Sequence, residues 1–121
     1  MSKTFGPYAS AKAAGDLVFI AGQVGVDPAT KTASEDFSAQ FGQVLDNLTA
    51  VLTENELEPK HIVNVRVYLT DMSKFAEMNE LYAAYFDGIA PSRECVGVAS
   101  LPAVAGDTPL HVELSAVALR G

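Results

Sequence analysis

The chain has 121 residues, of which 49% are apolar and 19% charged, and 15 acidic side chains outweigh 8 basic ones to give a net charge of −7. That length allows one ordinary domain burying roughly two-thirds of its unfolded surface, and the composition excludes a disordered chain. The acidic balance repels phosphate backbones, and the basic residues (Lys3, Lys12, Lys31, Lys60, Lys74, Arg66, Arg93 and Arg120) are scattered singly, so no nucleic-acid partner is expected.

The first forty residues read as strands and turns. Gly15-Asp16 separates Ala9–Ala14 from Leu17–Ala21 as a hairpin, and Asp27-Pro28 opens a turn running through Thr30-Lys31. Phe37, Phe41, Val44, Leu45, Leu48, Val51 and Leu52 then recur on one face of a helix. Thr32 with Glu35 fits a capping box at its start, and Ser34 serves equally well as the cap. Pro59 bars continuation, and Glu54, Glu56 and Glu58 form a solvated acidic end with no metal role. From His61 to Leu69 the period changes to two, with Val63, Val65, Val67 and Leu69 facing the core. Asp71 or Ser73 caps a second helix carrying Phe75, Met78, Tyr82, Tyr85 and Phe86, which Gly88 and Pro91 end. Two more strands follow, Cys95–Ala99 and Leu110–Leu119, the latter with Leu110, Val112, Leu114, Ala116 and Ala118 on one face.

The order ββ-α-β-α-ββ predicts a two-layer α+β domain, a mixed sheet with two helices on one face, spanning residues 1–121 without linker or repeat. The other face would carry Val18 or Phe19, Cys95 or Val96, Val117 and Leu119, too apolar for water over a whole sheet. Burial against copies of the same chain in a closed ring is the expected remedy. The single cysteine, Cys95, excludes an intramolecular disulfide and multi-thiolate metal sites, and the two histidines stand 50 residues apart, so no metal is expected. No apolar run approaches a spanning helix, and the N-terminal MSKTFGPYAS lacks a signal peptide's hydrophobic region. A cytoplasmic protein with no membrane association is therefore expected.

Four positions could carry chemistry. Arg93, after Pro91-Ser92 at a strand start, reads equally as a surface charge or as a fork for a substrate carboxylate. Glu113 alternates with small apolar residues on a face shared with His111 and Ser115; exposed alternation explains most such residues, but in a cleft it could hold and activate a water. Cys95 reads as a small buried apolar residue in preference to a reactive thiol. Tyr8, after Gly6-Pro7, reads as a packing residue. Gly15, Gly22 and Gly25 form no phosphate loop, and no nucleophile elbow is present.

Gly6-Pro7-Tyr8, Ile20-Ala21-Gly22-Gln23-Val24 with Asp27-Pro28, Pro91-Ser92-Arg93-Glu94-Cys95-Val96-Gly97-Val98, Leu101-Pro102 and Val112-Glu113-Leu114 occur in an order that resembles the reactive intermediate deaminase (RidA/YjgF) family over residues 6–119. The Arg-x-Cys-Val, Leu-Pro and Val-Glu-Leu segments are its most specific part. The resemblance implies a chorismate-mutase-like fold and a homotrimer whose sheets form a central barrel, with clefts between subunits. It also implies cofactor-free hydrolysis of short-chain 2-imino and enamine acids, released by pyridoxal-phosphate dehydratases, to 2-oxo acids and ammonia. Carried to matching positions, Arg93 pairs with the substrate carboxylate and Glu113 positions the attacking water. The Cys95 backbone helps hold that water, Tyr8 lines the pocket from a neighbouring subunit, and Asn79 and Gly22 border the cleft.

The chain departs from the family pattern in three places. Ala21 stands where many members have serine, Ser115 replaces a frequent second acid, and the 103–109 loop is longer. A non-catalytic carboxylate-binding or regulatory trimer using the same cleft is the alternative. A ribonuclease or translation inhibitor fits the acidic composition least.

Overall fold

The computed structural model describes residues 4–121 of the chain, and Lys3 lies outside them. Five strands and two α-helices follow the predicted order: β1 (Ala11–Ala14), β2 (Leu17–Val24), α1 (Phe37–Glu54), β3 (Ile62–Leu69), α2 (Phe75–Phe86), β4 (Ser92–Gly97) and β5 (Val112–Leu119). Short 3-10 turns, Pro59–His61 and Met72–Lys74, lead into β3 and α2. In space the strands lie in the order β1-β2-β5-β3-β4. β3 and β4 run parallel and the other pairs antiparallel, so the sheet is mixed. The crossover through α2 explains the parallel pair, because only a long connection returns a strand to the same direction.

Both helices cover one face. The buried side of α1 (Phe37, Phe41, Val44, Leu45, Leu48, Val51, Leu52) packs with Met78, Tyr82 and Phe86 of α2 over Val18, Ile20, Val65, Val67, Leu114, Ala116 and Ala118 of the sheet. The predicted core face of β5 is buried throughout. The opposite sheet face leaves Leu17, Phe19, Val96 and Leu119 exposed, resolving the two open choices: Val18 is core, whereas Phe19 and Val96 face outward.

Four local expectations are corrected. Neither Thr32 nor Ser34 caps α1: Ala33 bridges Val26, which keeps that segment extended, and the Asp36 carboxylate accepts from Ala39 N at 2.9 Å instead. Ser34 supports this cap from outside, its hydroxyl accepting from Asp36 N. Val63 is exposed, not core, because an irregularity between Ile62 and Asn64 shifts the register and hands the first inward position to Ile62. Asp71 caps the 3-10 turn before α2 through Ser73 N, while α2 itself starts without a side-chain cap. Finally, α1 ends before Pro59 acts: Asn55 closes it, Glu56 takes a left-handed conformation, and Pro59 starts the next turn.

Candidate active site

Arg93 ends a cross-strand row that runs Ile20, Ala116, Val65, Arg93 over four strands. The first three are core residues, so the arginine leaves the sheet on the helix side, at the β4 edge, under α2. Its Nη1 donates to Asn79 Oδ1 at 2.7 Å and lies 3.8 Å from Met78 Sδ. The guanidinium carbon stands 4.7 Å from the Tyr82 ring centroid and 5.5 Å from that of Phe75. Among the described residues no carboxylate reaches it: the ion pairs are Glu58 with Lys60, Arg66 with Glu94, and Lys74 with Glu77. Cys95 lies one step further along the same face, half-buried against the core. Burial pushes its thiol above the usual range, against a smaller lowering by Arg93, so it stays protonated and unreactive near neutrality.

Glu113 projects from the other face. Its cross-strand neighbours are Val24 of β2 and Tyr68 of β3. Between Ile20 and Gln23 the β2 register shifts, which places Ala21 and Gly22 in an irregular stretch, and the Glu113 carboxyl rests on Gly22. Any side chain at Gly22 would collide with it. Burial raises the Glu113 pKa above its ordinary value. A half-buried carboxylate with no hydrogen-bond partner among the described residues and a raised pKa is suited to take a proton from water.

Tyr8 and Gly22 border a common cavity of about 640 Å³, with Phe5, Ser10 and Gln23 from the N-terminal segment and β2, and Asn47 and Ala50 from α1. Asn47 holds this side together by donating to the carbonyls of Val24 and Val26, at 2.8 and 2.9 Å. Tyr8 is 47% exposed, so in a single chain it is not a packing residue.

The predicted residues therefore fall apart within one chain: Arg93, Asn79 and Cys95 lie at the β4 edge, Tyr8 and Gly22 border the cavity beside β2, and Glu113 stands on the central strand β5, where it touches Gly22. Arg93 is opposite Val65 and Glu113 opposite Tyr68, three residues along β3, and β3 separates their strands. With about 4.8 Å between strands and 3.3 Å per residue, their Cα atoms are roughly 14 Å apart, on opposite faces. Within one chain the two cannot meet on one small acid.

Three neighbours of these residues escaped the sequence reading. Phe75 and Tyr82 appeared only as apolar positions of a helix, although the spacing Phe75, Asn79, Tyr82 already placed both rings on one face with Asn79. Gln40 gave no signal at all. Completely buried, it accepts from His111 N and donates to the carbonyls of Ser34 and Pro109, tying α1 to the entry of the Glu113 strand. His61 is accounted for structurally, its Nδ1 accepting from Glu58 N in the turn before β3.

Fold and site together define a class: a small α+β protein with both helices on one sheet face and an unneutralised arginine at the sheet edge. Residues 2–119 match the protein family described as Endoribonuclease L-PSP, and the chain belongs to this RidA/YjgF/L-PSP (RutC) family. A RutC family protein of Pyrococcus horikoshii is 40% identical over 119 residues, covering 98% of this chain and 90% of the relative. The 2-iminobutanoate/2-iminopropanoate deaminase of Salmonella typhimurium is 36% identical over 118 residues, covering 95% and 88% of the two chains. Among solved structures, E. coli TdcF with bound serine superposes with a TM-score of 0.88 at 33% identity, covering 98% of this chain and 91% of that one. No helix among the described residues is long and apolar enough to cross a membrane.

Proposed function

We propose that this chain, acting as one domain, hydrolyses short-chain 2-imino acids and their enamine tautomers, such as 2-iminopropanoate and 2-iminobutanoate, to 2-oxo acids and ammonia. It does so without cofactor, in the cytoplasm, as a homotrimer whose clefts join the Arg93 edge of one subunit to the Tyr8–Glu113 region of the next. The single observation that carries this reading is Arg93, held by neutral groups and left without a carboxylate partner in a chain with a net charge of −7. An arginine kept in that state is suited to an anionic ligand. The separation of Arg93 from Glu113 within a chain, and the exposed Leu17, Phe19, Val96 and Leu119, support a cleft built from two copies.

In the reaction, Arg93 binds the carboxylate and fixes the position of C2. Glu113 takes a proton from water as its oxygen bonds to C2, while the C=N π pair moves to nitrogen to give a carbinolamine. Proton transfer to nitrogen and loss of the hydroxyl proton then break the C–N bond, leaving a carbonyl and ammonia. An enamine first gains a proton at C3. The protonated imine is already electrophilic, so positioning and one held water carry most of the demand. The Cys95 backbone borders that water, and Tyr8 covers the substrate.

The test adds the purified protein to a threonine dehydratase and follows the release of 2-oxobutanoate and ammonia. Faster release by wild type and none by Arg93→Ala is expected, and no acceleration by wild type overturns the reading. A non-catalytic carboxylate-binding trimer is the second reading, favoured by the serine held in TdcF. It predicts that Glu113→Ala changes affinity alone.

A further inference from the structure

Arg93 is held in a way that its charge alone does not explain. Phe75, Asn79 and Tyr82 follow at steps of four and three along α2 and share the helix face above β4. Tyr82 places its ring centroid 4.7 Å from the guanidinium carbon, Phe75 at 5.5 Å, and Asn79 Oδ1 accepts from Nη1 at 2.7 Å. Both ring distances fall within the range in which an aromatic face attracts a cation. Only Nη1 is engaged, so the Nε and Nη2 hydrogens have no protein acceptor among the described residues. A carboxylate in place of these rings would occupy the same fork that a substrate carboxylate needs. Ring faces attract the cation and leave its in-plane donors free.

We propose that Phe75 and Tyr82 are positioning residues for Arg93, a pair of ring faces that fixes the guanidinium plane and presents its Nε/Nη2 edge to an incoming carboxylate. Tyr82 is the stronger of the two because it is closer and 7% exposed, so water does not weaken its attraction. The Tyr82 hydroxyl plays no part: it is buried with no hydrogen-bond partner among the described residues. Burial also raises the phenol's pKa, against a smaller lowering by Arg93, so a neutral ring faces the cation. This inference rests on the assignment of Arg93 as the carboxylate-binding residue.

The full-length protein with Tyr82→Phe, Tyr82→Leu or Phe75→Leu separates the ring from everything else. Phe75 is 37% exposed, so its replacement leaves the fold intact even if Tyr82→Leu does not. Titration with 2-oxobutanoate should show wild-type affinity in Tyr82→Phe, about tenfold weaker binding in Tyr82→Leu and about threefold weaker binding in Phe75→Leu. In imine turnover the loss should fall on KM, with kcat within threefold of wild type. The Arg93 side-chain NH resonances should be shifted upfield by the rings in wild type and Tyr82→Phe, and should return towards free-arginine values in the two leucine variants. Wild-type binding in both leucine variants, or a Tyr82→Phe as weak as Tyr82→Leu, would overturn the proposal, as would Arg93 resonances identical in all four proteins. A ring-shifted Arg93 in a wild type that neither binds 2-oxobutanoate nor turns over an imine would overturn the functional reading and leave the positioning role standing.

Discussion

Replacing Gly22 by alanine should separate activity from stability. An alanine Cβ would stand 2.8 Å from Glu113 Cδ and 3.2 Å from its Cγ, whereas ordinary van der Waals contact begins near 3.4 Å. The carboxyl oxygen is nearer still, so the end of the Glu113 side chain must retreat by about 1 Å. Gly22 has no positive φ, so alanine is not strained there, and the neighbour that must yield is the mobile end of a half-buried side chain. Loss of unfolded-state freedom offsets the clash by about 0.4–1 kcal/mol, so net stability should change by less than about 1 kcal/mol. Activity should suffer much more, because a misplacement of about 1 Å at the reacting centre costs on the order of 100-fold in rate. Thermal unfolding and dehydratase-coupled turnover, measured on the same preparation, read both quantities. A folded Gly22→Ala with wild-type kcat/KM would refute the placement of Glu113 at the reacting water.

The remaining predictions contrast with this one. Gly25→Ala should damage the fold, because its Cβ would lie 3.0 Å from the Gln40 carbonyl carbon and 2.5 Å from Cγ, against helix backbone that cannot step aside; a loss of about 1–3 kcal/mol in denaturant unfolding is expected. Gln40→Ala should cost about 2–3 kcal/mol in the same measurement, since it empties a completely buried position and removes the partner of His111 N and of the Ser34 and Pro109 carbonyls. The acid limb of the kcat/KM profile should have its midpoint above the ordinary 4.5 of a glutamate, because burial raises Glu113 and the base form is the active one. The same shift means that the folded chain holds this proton more tightly, so Glu113 costs stability as pH rises from 4.5 through its raised value, and Glu113→Gln should remove that slope. Cys95→Ser should leave turnover within about twofold, because a thiol pushed up by burial supplies no nucleophile near neutrality.

What the sequence determined by itself is the local structure and the inventory of groups. Period and breaker residues specified the two helices, the alternating β5 and the Gly15-Asp16 hairpin, because each depends on neighbours a few positions away. They also showed that one sheet face would stay uncovered. Tertiary contacts decided the rest. The bridge between Val26 and Ala33 moved the helix cap to Asp36, and an irregularity in β3 turned Val63 outward; neither leaves a mark in local periodicity. The chemistry of each site residue depends even more on packing. Phe75 and Tyr82 look like core until α2 lies over β4, and nothing local shows that Gly22 must be glycine until Glu113 is seen resting on it. Arg93 and Glu113 were named from the sequence, but their location on opposite faces, roughly 14 Å apart by strand spacing, follows from the order β5-β3-β4 together with its register. Strand order is set by which apolar faces α1 and α2 can bury together, a choice made by the whole chain at once.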